Sequence, residues 1–217
     1  MRDGFIKVAA GTPKIRVADC DYNAGQIIAL MREAAAQGVK VLALPELCLT
    51  GYTCGDLFLQ PTLLDGAERA LGCILEETKE LDMLTALGMP VRAGGKLFNC
   101  AVVIQNGSIL AIVPKTYLPN YGEFYEGRWF YPCDRDWDET MMPRGSGLDF
   151  GNYGAIGQAL IRFSNMPDLT IGVEICEDLW ASDPPSRRLA EAGATLILNL
   201  SASNEAAGKA AYRRQLV

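Results

Sequence analysis

The sequence predicts one layered α/β domain with a mixed β-sheet. A β-α-β succession occupies the first 44 residues, and such an opening is typical of sheets that helices cover. Asn106 and Gly107 lie between two apolar runs and predict a hairpin turn, which adds antiparallel pairing. The 217 residues, 49% hydrophobic and 21% charged, suffice for one buried core and fit neither a disordered nor a fibrous chain.

The N-terminal half supplies alternating strands and helices. Residues 5–10 are predicted as the first strand, and residues 24–37 as an amphipathic helix that Gly38 caps. Residues 39–44 are apolar except for Lys40, which indicates a buried strand. Residues 63–81 have the spacing of a second helix.

The second half continues the pattern after an irregular stretch. Residues 98–105 and 109–113 are the two arms of the predicted hairpin. Residues 119–152 carry many Gly, Pro, Asp and aromatic residues without periodicity, so we expect a lid or interface loop. Three further runs are predicted as strands: residues 155–163, 169–175 and 195–200.

Two helices are predicted near the C-terminus. A short one follows Pro184 and Pro185 and ends near Gly193, and another covers residues 210–217. The last helix has neither a cap nor a polar tail. We therefore expect the domain, residues 1–217, to be incomplete at its C-terminus, with more of the protein following.

Charge and hydropathy narrow the class of function. The formal net charge is −6 without a long Lys/Arg run, which argues against nucleic acid or an acidic membrane surface as a partner. No stretch approaches the roughly 20 apolar residues of a membrane span, and the N-terminus lacks a signal-peptide core. A cytoplasmic protein that acts on a small molecule is the expectation.

The cysteines and the missing histidines narrow the chemistry. Seven cysteines without a CxxC pair predict reduced thiols rather than a disulfide framework or zinc site. The chain has no histidine, which excludes Ser-His-Asp, Cys-His and His-ligated metal mechanisms. A nucleophile in this protein therefore needs a carboxylate or a lysine as its base.

Three ionisable residues, Glu46, Lys115 and Cys176, each come just after an apolar strand. Ligands of open α/β sheets gather beyond the carboxyl ends of strands, so these side chains are predicted to converge. Together they provide a base, a cation for a developing oxyanion, and a nucleophilic thiol. Taken singly, Glu46 fits a turn cap as well as a base, while Lys115 fits a solvated lysine better and Cys176 a buried structural thiol better. Taken together and in this order, the three residues favour the catalytic interpretation.

Longer segments around these residues resemble a known family. They are PELCLTGY (45–52), PKTYLPNYGEFYE (114–126) and GVEICEDLW (172–180), which are similar, in order, to the signature segments of the nitrilase, or carbon–nitrogen hydrolase, superfamily. More narrowly, nearly the whole chain resembles the glutaminase domain of bacterial glutamine-dependent NAD synthetases. The resemblance implies a nitrilase-type four-layer α-β-β-α sandwich with mixed sheets, here C-terminally truncated.

The resemblance also implies roles for individual residues. Glu46 would be the general base, Lys115 the oxyanion-stabilising cation and Cys176 the nucleophile that becomes a thioester. Glu123 would be the second glutamate that positions the lysine and substrate, and the amide of Glu177 would complete the oxyanion hole.

Six residues would border the glutamine pocket by the same resemblance: Tyr52, Tyr121, Glu126, Trp180, Ser203 and Lys209. The family often has arginine where Lys209 stands, and lysine keeps the charge without the bidentate fork. Tyr52, Tyr121 and Trp180 also fit a purely structural role as core or interface aromatics, and Ser203 and Lys209 fit a helix cap and a solvated side chain.

The implied reaction is hydrolysis of L-glutamine to L-glutamate and ammonia. The ammonia would serve a synthetase domain that follows covalently and amidates nicotinic acid adenine dinucleotide. ATP and magnesium would belong to that domain, with no cofactor or metal in this one, and a homo-oligomer is expected. Two alternatives stay open: a free-standing amidase for another small linear amide, and a non-catalytic assembly domain, which would be favoured if the three residues failed to converge.

Overall fold

The computed structural model describes residues 5–133 and 155–217. Within them, nine strands form two sheets, a six-stranded sheet in the order β1-β2-β3-β4-β5-β6 and a three-stranded sheet in the order β7-β8-β9. The strands are β1 (Val8–Ala10), β2 (Val41–Ala43), β3 (Leu84–Ala93), β4 (Lys96–Gln105), β5 (Ser108–Pro114), β6 (Ala155–Ile156), β7 (Leu160–Phe163), β8 (Met166–Ile175) and β9 (Leu196–Leu200). The α-helices are α1 (Cys20–Ala36), α2 (Pro61–Glu77), α3 (Pro185–Glu191) and α4 (Lys209–Leu216).

Both sheets are mixed, as the sequence predicts. In the larger sheet β1, β2 and β3 are parallel, β3-β4 and β4-β5 are antiparallel pairs, and β6 is parallel to β5. Strands β2, β3 and β5 therefore run in one direction and end at the same edge. In the smaller sheet β8 is antiparallel to β7 and parallel to β9.

The two sheets pack face to face between helices. One apolar cluster joins inward residues of the larger sheet, such as Ala101 and Val113, to Ile171 and Val173 of β8. A second cluster fills the space between the other face of the larger sheet and helices α1 and α2. Helix α3 covers the outer face of the smaller sheet, where Leu189 packs on Gly172. The α-β-β-α layering is thus confirmed.

Most predicted elements are confirmed with shifted ends. Helix α1 begins at Cys20 rather than residue 24, because the Asp19 side chain caps it by accepting a hydrogen bond from the Tyr22 amide (3.1 Å). Helix α2 ends at Glu77 rather than residue 81. The hairpin at Asn106 and Gly107 is confirmed, with both residues at positive φ.

Strand β3 is absent from the sequence-based prediction, because it contains Gly88 and Pro90, and both residue types are unfavourable inside a central strand. The Ala86 and Gly88 carbonyls accept hydrogen bonds from Leu44 and Leu49 on the β2 side. Backbone groups of alternate residues in a strand point to the same side, so the Pro90 nitrogen also faces the β2 side. It faces away from β4, and no hydrogen bond between β3 and β4 is lost.

The single strand predicted for residues 155–163 is wrong. The structure has two short strands there, β6 in the larger sheet and β7 in the smaller one. Gly157 lies between them with a φ of 130°, a conformation that L side chains rarely adopt, and it lets the chain leave one sheet for the other.

The predicted lid or interface loop is only partly described. Residues 134–152 of it lie outside the described residues. Its described part includes a 3-10 turn at Glu126–Arg128, and Phe130 packs on Phe58 with ring centroids 4.9 Å apart. Across residues 5–133 and 155–217 no helix is long and apolar enough to cross a membrane.

Replacing Gly88 by alanine is expected to destabilise the domain. A Cβ atom at Gly88 would lie 2.2 Å from the Leu47 backbone nitrogen, so the turn that carries Glu46 would have to move. Overpacking of this kind costs about 1–3 kcal/mol or more. Gly25→Ala is the matched control, because a Cβ there meets open space on α1 and helix propensity favours alanine. Chemical denaturation of both variants measures the difference, and equal midpoints would contradict the close approach at Gly88.

Candidate active site

The three predicted residues lie together where three strands end. Glu46 follows β2 and Lys115 follows β5, two parallel strands that finish at the same edge of the larger sheet. Cys176 directly follows β8 of the facing sheet. Lys115 is hydrogen-bonded to Glu46, and the charges of both act on the Cys176 thiol, so the three side chains converge between the two sheets.

A buried ion-pair centre occupies this position. The Lys115 Nζ atom donates hydrogen bonds to Glu46 Oε1 at 2.6 Å and to Glu126 Oε1 at 2.7 Å. The Lys115 and Glu46 side chains are fully buried, and Glu126 is only 2% exposed at its side chain. One cation thus holds two carboxylates that would otherwise repel each other in a medium of low dielectric.

Asn99 completes the centre, and it is not among the site residues that the sequence predicts. It lies on β4, and its Nδ2 donates to Glu46 Oε1 at 2.7 Å and to Glu126 Oε2 at 3.4 Å. Its backbone carbonyl also accepts the Lys115 amide at 2.8 Å. The only signal in the sequence is an asparagine inside an otherwise apolar strand, since a buried amide needs polar partners.

Cys176 occupies a strained turn. Its φ is 44°, in the left-handed region that a non-glycine residue adopts at a cost, and a 3-10 helix of residues Cys176–Trp180 begins there. Ser201 Oγ donates to the sulfur at 3.3 Å. The next residue, Ala202, donates its amide to Glu46 Oε2 at 3.1 Å, so the chain after β9 connects the thiol to the carboxylate.

The surroundings of Cys176 favour its protonated thiol over the thiolate. Burial and the negative charge of Glu46 raise the pKa of Cys176 to about 12, against the opposing effects of Lys115, Ser201 and the Ala202 backbone. A thiol in this setting needs a base at the moment of attack.

The ion pair shifts the other two groups as well. Burial alone would lower the pKa of Lys115, but Glu46 and Glu126 outweigh it and the lysine stays protonated. Burial and the Glu46 charge raise the pKa of Glu126, while Lys115 and the Tyr52 hydroxyl oppose the rise.

The expectation for Glu123 needs correction. Its exposed carboxylate accepts a hydrogen bond from Asn204 Nδ2, whereas the glutamate that contacts Lys115 is Glu126. Glu126, expected at the border of the substrate pocket, is instead buried in the ion-pair centre. Both glutamates follow Lys115 in one loop, and their spacing alone does not tell which one turns inward.

The remaining predicted residues surround the centre at different distances. The Tyr52 hydroxyl donates to Glu126 Oε1 at 2.7 Å, which ties it to the ion pair rather than to an open pocket. Tyr121 is 59% exposed, and its hydroxyl donates to the Glu177 carboxylate at 2.8 Å. Glu177 directly follows Cys176 along the chain, so this pair lies at the solvent side of the site.

A polar group near Ser203 forms another part of the border. Lys209 Nζ donates to Ser203 Oγ at 2.6 Å and to the Asn204 side chain, and it lies 5.4 Å from the centre of the Trp180 ring. Trp180 in turn packs on Tyr212, with ring centroids 5.5 Å apart. Lys209 is therefore held by neighbours on several sides rather than extended into solvent.

The Cys176 pKa leads to a reactivity prediction. With a pKa of about 12, only about one molecule in 10⁴ carries the thiolate at pH 8, so iodoacetamide should alkylate Cys176 slowly. The rate should keep rising between pH 8 and pH 10 without levelling off. Cys73, the exposed cysteine of the seven, is the internal comparison when peptides are quantified by mass spectrometry. A rate for Cys176 that reaches its plateau below pH 9 would contradict the raised pKa.

Comparison with known proteins places this geometry in a family. The carbon–nitrogen hydrolase family model matches residues 7–217, which is nearly the whole chain. The chain belongs to the carbon–nitrogen hydrolase family. Within this carbon–nitrogen hydrolase, Glu46, Lys115 and Cys176 all lie inside the matched residues.

Several relatives of this carbon–nitrogen hydrolase are NAD synthetases. The chain is 38% identical over 213 residues to the glutamine-dependent NAD(+) synthetase of Mycobacterium tuberculosis, covering 98% of this chain and 30% of the relative. The crystal structure of a glutamine-dependent NAD(+) synthetase from Cytophaga hutchinsonii superposes with a TM-score of 0.81 at 33% identity, over 98% of this chain and 33% of that one. This carbon–nitrogen hydrolase chain thus spans about a third of the length of such proteins.

A shorter protein shares the fold. An amidase from Nesterenkonia sp. superposes with a TM-score of 0.74 at 19% identity, over 97% of this chain and 70% of that chain. At this identity the likeness extends to the fold alone.

Proposed function

We propose that this domain hydrolyses L-glutamine to L-glutamate and ammonia through a thioester on Cys176. The observation that carries the proposal is the buried Lys115 between Glu46 and Glu126, beside a cysteine held in a strained turn. A base, a cation and a thiol in one water-poor site are the requirements of acyl transfer. The likeness of nearly the whole chain to glutamine-dependent NAD synthetases supports glutamine as the amide.

In the proposed first half-reaction, Glu46 accepts the thiol proton as the sulfur attacks the amide carbon of glutamine. Lys115 and the backbone amide of Glu177 stabilise the oxyanion of the tetrahedral intermediate. Glu46 then returns the proton to the leaving nitrogen, the carbon–nitrogen bond breaks, and ammonia departs. The product is a glutamyl thioester.

The second half-reaction restores the protein. Glu46 takes a proton from a water molecule, which attacks the thioester carbonyl at the same oxyanion site. The tetrahedral intermediate collapses, the sulfur leaves as a thiolate and regains its proton from Glu46, and glutamate is released. Glu126 keeps Lys115 in place in both halves, with Asn99 and Tyr52 fixing the two carboxylates.

The border residues supply the proposed contacts with the amino-acid end of glutamine. Tyr121, Glu177, Trp180, Ser203 and Lys209 lie around the solvent side of the site and carry both charges and hydroxyls. A zwitterionic head group requires such a mixed surface, whereas an apolar amide does not. This mixture favours glutamine over a simple aliphatic amide.

The wider role follows from the relatives. We infer that the ammonia serves the ATP-dependent amidation of nicotinic acid adenine dinucleotide in a synthetase domain of the same protein. That domain would bind ATP and magnesium, and this one would need no cofactor or metal. A homo-oligomer and a cytoplasmic location remain predictions.

A substrate comparison tests the proposal. The protein at its complete natural length is assayed for ammonia release from glutamine, asparagine and propionamide, with and without ATP and nicotinic acid adenine dinucleotide. We expect kcat/KM for glutamine to exceed that for propionamide by roughly 100-fold or more, because the polar border is left unpaired by the aliphatic amide. Equal values would favour the free-standing amidase, and no hydrolysis of any amide would favour the assembly domain.

A further inference from the structure

We infer that Asp178 is a positioning residue that holds Cys176 and Lys115 in register across the two sheets. Asp178 follows the nucleophile by two residues and is fully buried. The inference rests on the proposed function, since it concerns the relative placement of the nucleophile and the oxyanion-stabilising cation.

The two oxygens of Asp178 bind different sheets. Oδ1 accepts the amides of Thr116 at 3.0 Å and Tyr117 at 2.8 Å, the residues directly after Lys115. Oδ2 accepts the amide of Ile175 at 3.0 Å, the residue directly before Cys176. One carboxylate thus connects the end of β5 to the end of β8 through backbone groups adjacent to both functional residues.

The bridge is a second polar connection between the two sheets, beside the one that the chain after β9 makes, and it reaches the Lys115 segment directly. Lys115 is fixed to its own sheet by Asn99, but Cys176 lies on the facing sheet, and apolar packing between sheets does not set a register to a fraction of an ångström. Cys176 also has a strained φ of 44°, and such a conformation persists only where its surroundings over-determine it. The bond from Ile175 to Asp178 closes that turn.

The chemistry of a carboxylate suits this position. Three N–H donors converge on Asp178 without a cationic side chain among its hydrogen-bond partners in the described residues. An asparagine has the same shape but only one acceptor atom, so it can bind the Lys115 side or the Ile175 side and must direct an N–H against the other. Asp178→Asn therefore breaks one half of the bridge without emptying space.

Glu174 offers a matched control. It is also fully buried, lies on β8 two residues before Cys176, and accepts the Ser186 amide at 2.9 Å and Asn199 Nδ2 at 3.2 Å. Its partners belong to α3 and β9, so it fastens β8 to the outer helix and to the neighbouring strand but not to the Lys115 segment. Glu174→Gln should affect stability without changing the register.

The experiment compares Asp178→Asn, Glu174→Gln and wild type in the full-length protein. Steady-state glutamine hydrolysis should show kcat reduced roughly 100-fold in Asp178→Asn with KM changed less than about threefold, because binding survives while alignment is lost. Glu174→Gln should keep kcat per folded molecule within about threefold. Hydrogen exchange should show lost protection at Thr116 and Tyr117, or at Ile175, in Asp178→Asn alone.

The outcomes separate this inference from the proposed function. Unchanged exchange, or an unchanged kcat despite faster exchange, would overturn the positioning role of Asp178. An equal loss of kcat in both variants would also overturn it, since general destabilisation would then explain the effect. If wild type does not hydrolyse glutamine, the proposed function fails, and the exchange measurement still decides whether the bridge exists.

Discussion

Cys176→Ala abolishes glutamine hydrolysis and leaves the fold intact, according to the proposed mechanism. Without the sulfur no thioester forms, and the activity should fall by at least roughly 10⁴-fold, the scale seen when a nucleophile is removed. The thiol accepts one side-chain hydrogen bond from Ser201, so its loss disturbs few contacts. The thermal midpoint should change little, and calorimetry beside the hydrolysis assay checks both statements.

The same variant separates the two halves of the wider proposal. In the full-length protein, Cys176→Ala should lose glutamine-dependent NAD formation and keep ammonia-dependent formation, because the synthetase chemistry does not need this thiol. Cys73→Ala is the control, since Cys73 is exposed and lies on α2 far from the ion-pair centre along the chain. Continued use of glutamine by Cys176→Ala would refute the nucleophile assignment.

Lys115→Met should both inactivate and destabilise the protein. Methionine fills the volume but leaves Glu46 and Glu126 buried side by side without a cation. Breaking a buried ion pair by removing one partner costs about 3–5 kcal/mol. Loss of the charge that we propose to stabilise the oxyanion should reduce glutamine hydrolysis by roughly 100-fold or more in the molecules that stay folded.

The destabilisation of Lys115→Met should depend on pH in a defined direction. Burial already raises the pKa of Glu126 in the native protein, and loss of the lysine raises it further. A carboxyl whose folded-state pKa lies above its unfolded value contributes stability at low pH, which is lost as the pH rises through the folded-state pKa.

Denaturant titrations of Lys115→Met at pH 5 and pH 8 test this direction. The variant should be closer to wild type at pH 5 than at pH 8. Lys79→Met, which removes an exposed lysine, should match wild type at both pH values. An equal deficit for Lys115→Met at the two pH values would contradict buried, unpaired carboxylates.

The sequence predicts those elements of the fold whose signal lies within a short segment of the chain. Helix periodicity and the Asn106 and Gly107 turn each carry their own signal, and the structure confirms them. Strand β3 escaped prediction because its Gly88 and Pro90 are acceptable only in the tertiary setting. Gly88 leaves room for the backbone of the turn that carries Glu46. Pro90 lies beyond the last residue of β3 that pairs with β2, so its missing N–H costs no hydrogen bond there.

Some residues of the candidate site are also predictable from the sequence, and others are not. Glu46, Lys115 and Cys176 are predictable because each follows an apolar strand. Parallel strands of one sheet explain why Glu46 and Lys115 meet, whereas Cys176 reaches them from the facing sheet. Glu126 and Glu123 differ only in which one the loop turns inward, and tertiary packing decides that. Asn99 and Asp178 act through partners that are distant along the chain or bonded through backbone amides, which no sequence pattern displays.

Labelling with a diazoketone analogue of glutamine tests whether Cys176 is the nucleophile for glutamine. The analogue has a ketone where the amide carbon of glutamine would lie and a diazomethyl carbon where the amide nitrogen would lie. Once the diazomethyl carbon is protonated, the thiolate of the proposed nucleophile displaces dinitrogen from it and a permanent thioether remains. After incubation of the full-length protein, peptide mapping by mass spectrometry locates the label. We expect stoichiometric labelling of Cys176, prevented by excess glutamine and parallel to the loss of hydrolysis. Labelling confined to another cysteine such as Cys73, or full hydrolysis with Cys176 labelled, would contradict it.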